Sequence, residues 1–274
     1  MHPFKYSLST ADAAPTTAPI LLTGDVAHNL KRAADMGYQA IEMHTRNDVE
    51  LDVPEILSIC AERKISISAI VTGRLNTEGK CSLISDIPYV AAAAEVGMLQ
   101  YIDMAASLHT DLILGWIKGQ IPPGGSRRTY MDRLALSLRR LSVRAEERGV
   151  RLHIEVINRY EANYLLTARE MVEFLDAYQL KNCFVHLDTF HMAIEESDPI
   201  EAIMCCRERL GYIHVADNTR HYPGSGTLDF MNILRTLKSI NYTGFVSVEC
   251  LPIPTGEIAA AQAIAYLTRI AGQI

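Results

Sequence analysis

The chain has 274 residues, with 49% hydrophobic residues and a formal net charge of −6. That length suits one α/β barrel over residues 1–274 as a single domain, with enough apolar material for a large core. The acidic balance argues against a nucleic-acid footprint, no apolar run approaches the roughly 20 residues of a membrane span, and the N-terminus carries no signal-peptide pattern. The six cysteines form no CxxC and no zinc-ribbon spacing, which fits reduced thiols in a cytoplasmic protein.

Short apolar runs alternate with longer amphipathic ones. Residues 4–10 read as a strand and 24–37 as a helix carrying Val26, Leu30, Ala33 and Ala34 on one face. A strand over 38–44 precedes a helix over 53–63, and the β-branched run 65–71 precedes a helix over 85–109. A strand over 111–116 leads to a helix over 127–148, with Leu134, Leu138 and Leu141 on one face and Gly149 as its stop. The second half continues as strand 150–156, helix 167–178, strand 183–188, helix 199–210, strand 211–216, helix 228–240, strand 243–250 and helix 258–270. Thr167 and Glu170 form a capping box at the start of one helix. Eight β units alternating with eight α units predict a closed (β/α)₈ TIM barrel, and no GxGxxG follows a strand to favour an open doubly wound sheet. The polar, Gly- and Pro-containing loops at 72–82, 117–128 and 217–227 suit the active-site face.

The chemistry concentrates in strands five to eight, which read LHIE, VHLD, YIHV and VSVE. Each brings a metal-capable side chain near its C-terminal end: Glu155, Asp188, His214 and Glu249. They are 33, 26 and 35 residues apart, one βα unit each, so they fall on successive strands at the catalytic end of a barrel. Three converging carboxylates repel one another unless a cation joins them, and three carboxylates with one imidazole suit Mn²⁺, Mg²⁺ or Co²⁺. His153 and His186 share side-chain parity with Glu155 and Asp188, and they are expected one layer below as hydrogen-bonded core or supporting groups. Just past the strand ends, Glu161, His191 and Arg220 supply a carboxylate, an imidazole and a guanidinium, a set suited to a hydroxylated substrate.

These motifs are IEVINRYEANY at 154–164, HLDTFHMAIEE at 186–196, HVADNTRHYPGSGTLDF at 214–230 and VSVEC at 246–250. Together they resemble the sugar isomerase/epimerase barrels related to xylose isomerase, and more closely the ketose 3-epimerases of the tagatose and psicose (allulose) group. The resemblance covers the second half motif by motif. The first half shares only the barrel rhythm, with Tyr6 and Trp116 as pocket candidates, and the loops at 72–82 and 117–128 do not align with the family. The resemblance implies one divalent ion, Mn²⁺, Co²⁺ or Mg²⁺, on Glu155, Asp188, His214 and Glu249. It makes Glu155 and Glu249 the acid–base pair, places Glu161, His191 and Arg220 against the sugar, and implies a homodimer or homotetramer.

The implied reaction inverts C3 of a free ketose through a metal-stabilised enediolate, with removal of a proton from one face and return to the other. Two carboxylates three strands apart suit that task. The rival readings are an aldose–ketose isomerase of the hydroxypyruvate-isomerase kind, a sugar-phosphate epimerase, a dehydratase of the same barrel family, and a non-catalytic sugar-binding barrel. A trinuclear zinc DNA-repair endonuclease needs more histidines from strands two to four, where only His44 ends a strand, with Glu42 inward beside it.

Overall fold

The computed structural model describes residues 3–274. Eight parallel strands form the barrel wall: β1 Lys5–Ala11, β2 Ala40–His44, β3 Ser66–Val71, β4 Asp111–Leu114, β5 Leu152–Glu155, β6 Cys183–Asp188, β7 Leu210–Val215 and β8 Phe245–Val248. Each pairs with the next in sequence, and β1 pairs with β8 from Lys5 opposite Phe245 to Leu8 opposite Val248, which closes the sheet. A two-residue strand, Leu22–Thr23, adds to the end of β1.

The helices outside are α1 Val26–Met36, α2 Val53–Arg63, α3 Gly73–Thr77, α4 Pro88–Ser107, α5 Arg127–Glu147, α6 Ala168–Ala177, α7 Thr189–Glu195, α8 Pro199–Cys205, α9 Phe230–Ser239 and α10 Gly256–Ala271. Side-chain oxygens start most of them: Asp25, Asp52, Ser126, Thr167, Asp198, Asp229 and Thr255 each accept from a backbone N–H in the first turn. The Thr167 box is half as expected. Thr167 Oγ1 accepts from the Glu170 N–H, but the Glu170 carboxylate reaches back to the N–H of Leu166 rather than that of Thr167.

Two short helices are added to the sequence reading, the helix expected over 199–210 ends at Cys205, and the strands expected over 111–116, 150–156 and 243–250 are each shorter. α3 lies in the 72–82 stretch expected as a loop, α7 in a stretch given no element, and β4 stops at Leu114, because Gly115 turns the chain into a 3₁₀ turn over Trp116–Lys118. The strand pattern is otherwise as expected. Leu112, Leu114, Ile154, Val185, Leu187, Ile213, Val246 and Val248 are all buried, and they join the core cluster shared with the helices.

The barrel interior is unusually polar. Ser68 Oγ lies 2.7 Å from both Ser7 Oγ and Tyr212 Oη. Two bulges shape it, one at Ser68 in β3 and one at Gly211 in β7, where the pairing jumps from Val185–Leu210 to His186–Tyr212. A Cβ on Gly211 would fall 2.4 Å from His153 Nδ1, so only glycine leaves room for that ring. His153 meets the expectation of a hydrogen-bonded core residue, with Nε2 3.2 Å from Asp111 Oδ2. His186 does not. Neither of its ring nitrogens has a hydrogen-bond partner, and its ring instead stands edge-on to His214 with centroids 4.2 Å apart. Burial, with His214 adding to it, holds the His186 imidazole well below its usual range, so it is neutral.

Candidate active site

Four strand ends converge at the C-terminal mouth. Glu155 closes β5, Asp188 closes β6, His214 is the penultimate residue of β7, and Glu249 follows β8 directly. Register sets them level: Glu155 lies opposite His186, Asp188 opposite His214, and His214 opposite Ser247, two residues before Glu249. All four side chains are buried, and one ligand atom from each lies within 4.8 Å of the others. His214 Nδ1 is 3.3 Å from Glu249 Oε2, 3.7 Å from Asp188 Oδ2 and 3.9 Å from Glu155 Oε1.

The orientation of His214 is fixed from behind. Its Nε2 lies 2.7 Å from Glu42 Oε2, and the other oxygen of Glu42 accepts from His44 Nε2 at 2.9 Å. Donation from Nε2 leaves Nδ1 facing the three carboxylates, where it is fully buried without a hydrogen-bond partner. That orphaned nitrogen among three acceptor-only groups is a donor set that a divalent cation fits. Burial opposes charge on His214, but Glu42 and Glu249 outweigh it and hold the imidazole well above its usual range when no cation replaces the proton. Burial would likewise raise Glu42, yet His214 and His44 keep it well below the usual carboxylate range.

The carboxylates differ in their surroundings. Burial, reinforced by the Glu249 charge, pushes Glu155 up to about 8. Asp188 divides its two oxygens. Oδ1 accepts from the N–H of Phe190 at 2.8 Å and so caps α7, while Oδ2 faces His214 and takes the Arg220 guanidinium at 2.5 Å. Against its burial, Arg220 and His191 hold Asp188 well below the usual range.

The three groups expected against a substrate all reach this mouth. Arg220 bridges Asp188 and Glu249, and its guanidinium lies over the Phe190 ring, 4.8 Å from the centroid. In this structure it therefore partners two cluster carboxylates rather than facing open space. His191 Nε2 sits 3.8 Å from Glu155 Oε1. Asn158 holds both neighbours: its Nδ2 is 2.7 Å from His191 Nδ1 and 3.0 Å from Glu161 Oε1. Donation into Nδ1 puts the His191 proton on Nε2, toward Glu155. Trp116 opens the 3₁₀ turn, is 43% exposed and lines a cavity with Glu161. Tyr6 is corrected. It points outward, fully buried, and its hydroxyl donates to the Leu267 carbonyl of α10 at 3.3 Å, because the alternation of β1 turns Ser7 inward and Tyr6 toward the helices.

Four residues at the mouth escaped the sequence reading of the site. Glu42 was legible as an inward charge in the apolar run AIEMH, but not as the partner of His214. Asn158 sits within INRYE without a pattern of its own. Lys118, in GWIKG, is buried and donates from Nζ to the Glu155 carbonyl; burial lowers it to about 8 although Glu155 acts in the opposite direction. Asp217, fully buried, accepts the backbone N–H groups of Asn218, Gly224, Gly226 and Leu228 and so organises the loop after β7. At Gly115 the backbone passes so close that a Cβ would fall 2.3 Å from Glu155 Oε2.

A closed barrel with a buried donor cluster at the C-terminal ends of its strands is the architecture of a barrel enzyme. A family profile described as xylose isomerase-like TIM barrel matches residues 30–270, and the chain belongs to that family. It is 30% identical to the L-ribulose 3-epimerase of Methylomonas sp. (strain DH-1) over 220 residues, 79% of this chain and 75% of that one. It is also 30% identical to the ketose 3-epimerase of Arthrobacter globiformis over 228 residues, 82% of this chain and 77% of the relative. Among solved structures, D-allulose 3-epimerase from Methylomonas sp. in complex with D-allulose superposes with a TM-score of 0.81 at 22% identity, covering 98% of both chains.

Proposed function

We propose that the chain is a sugar epimerase that inverts C3 of a free ketose, with one divalent cation held by Glu155, Asp188, His214 and Glu249. The observation that carries this reading is the pair Glu155 and Glu249. Their strands lie three apart around the barrel, and both carboxylates face the same unpartnered nitrogen of His214. The relatives that match over most of the chain are named as 3-epimerases of ketoses, which agrees with a paired-base site. Three oxygens and one imidazole nitrogen suit Mn²⁺, Co²⁺ or Mg²⁺. When bound there, such an ion polarises a ketose carbonyl and the adjacent hydroxyl and so acidifies the C3 hydrogen.

The side chains then divide the work. One of Glu155 and Glu249 takes the C3 proton from one face, and the other returns a proton to the opposite face of the enediolate. His191 presents its Nε2–H beside Glu155 to a substrate oxygen, and Asn158 keeps both His191 and Glu161 in place. Arg220 balances the negative charge of Asp188 and Glu249 and closes the mouth from the β7 side.

A phosphorylated substrate is the second reading, and Asp217 speaks against it. The 223–227 stretch after β7 would be the natural anion nest of this barrel end. Its N–H groups at Gly224 and Gly226 are already spent on the Asp217 carboxylate, and that of Thr227 on Asn218. The test is a screen of free ketoses and their terminal phosphates for C3 epimers. Conversion of a free ketose is the expected result. A kcat/KM preference for the phosphate of more than about tenfold, about 1.4 kcal/mol of transition-state binding, overturns the free-ketose reading.

A further inference from the structure

A large cavity lies beside the reaction site. It measures about 870 Å³, near the top of the roughly 300–1,000 Å³ that holds drug-sized ligands, and a single monosaccharide fills only part of it. It borders the site at Gly115, which lies against Glu155 Oε2, at Lys118, which donates to the Glu155 carbonyl, and at Glu161, while the four cluster residues lie outside its lining. Its outer end reaches Ser82 and Ser85, in the segment between β3 and α4. That outer wall comes more from the 84–90 stretch than from the 72–82 stretch.

Two side chains along it are placed for a ligand. Lys118 is 1% exposed, and its ammonium has one acceptor, the Glu155 carbonyl, so two of its three N–H donors have none in the protein. Buried donors are rarely left so. Trp116, the single tryptophan, is 43% exposed on the cavity wall, where a flat indole suits the C–H face of a sugar ring. Charge on the lining balances. Lys80 and Lys118 stand against Asp86 and Glu161, and Asp86 is itself paired with Arg133. A balanced, hydroxyl-bonding wall selects a neutral polyol over an anion.

We propose that this cavity is a second sugar subsite, so that the preferred substrate is a ketose bearing a neutral glycosyl group on the end remote from its carbonyl. The glycosyl ring lies against Trp116, and an oxygen of the substrate accepts from Lys118. The inference rests on the epimerase reading above and extends it to the size of the substrate.

The experiment compares kcat/KM for C3 epimerisation of a free ketohexose with that of a disaccharide carrying a glucosyl group on O4 or O6 of the same ketose. The disaccharide is expected to be better by at least about tenfold. Ser85→Trp, which fills the outer end, should cut that ratio to about one; should that variant fail to fold, Trp116→Ala should lower the ratio at least fivefold. Equal or better turnover of the free ketose, or a ratio unmoved by both substitutions, overturns the subsite while leaving the epimerase reading standing. Turnover of neither sugar removes the epimerase reading and this inference with it.

Discussion

At the scale of single residues, the proposed turnover depends on the two carboxylates that flank the reacting carbon. Glu155→Gln and Glu249→Gln should each lower kcat by at least about 100-fold, the range of general acid–base groups. Because both are also proposed cation ligands, metal content of each variant is measured alongside. A variant that keeps its metal and near-normal turnover contradicts the paired-base mechanism. Glu42 acts one step back. It accepts from His214 and so keeps Nδ1 turned toward the cluster, and Glu42→Gln should weaken Mn²⁺ affinity by about 10–100-fold, measured by calorimetry. Unchanged affinity means that packing alone orients His214. The four cluster residues were legible in the sequence because each is a charged or imidazole group ending an apolar run, one βα unit from the next. Glu42 was legible as inward, but its partner is 172 positions away, and no local pattern encodes that contact. Tyr6 misled by its type. An aromatic at the start of a barrel resembles a pocket residue, whereas the parity of β1 sends it to the helix layer.

At the scale of elements, loops rather than strands carried what sequence periodicity missed. The DTFHM segment has no element in the sequence reading because its apolar residues are too few for a helical stripe. It folds as α7 because Asp188, the last residue of β6, caps the first turn with one oxygen and leaves the other for the cluster. One aspartate thus ties a strand end to a helix start and fixes His191, three residues on, beside Glu155. The run 111–116 reads as one strand because Trp116 continues the apolar pattern, but Gly115 breaks it. The backbone there must pass against Glu155, with no room for a Cβ. Gly115→Ala should therefore displace the Glu155 carboxylate and lower kcat at least about tenfold, while circular dichroism and Tm stay close to the parent, since the barrel wall is untouched. A fully active Gly115→Ala variant would show that the close approach is not required.

At the scale of the whole molecule, closure of the barrel is what makes distant strands neighbours. β5 and β8 are nearly a hundred residues apart in sequence, yet the circular order places Glu155 and Glu249 around one His214 nitrogen. The alternation of strand and helix made that circle legible in advance. It did not reveal the cavity beside the mouth, because its walls combine residues from helices and connecting segments after β3, β4 and β5 that no single period links. The central claim is that the proton leaves one face of C3 and another arrives on the opposite face from a different carboxylate. The most direct measurement is epimerisation of a free ketose in D₂O with Mn²⁺ supplied, followed by NMR at early conversion. Two bases predict product labelled with deuterium at C3 while the remaining substrate still carries protium there. Product that retains the substrate's own hydrogen at C3, or deuterium that enters the remaining substrate as fast as product forms, contradicts it.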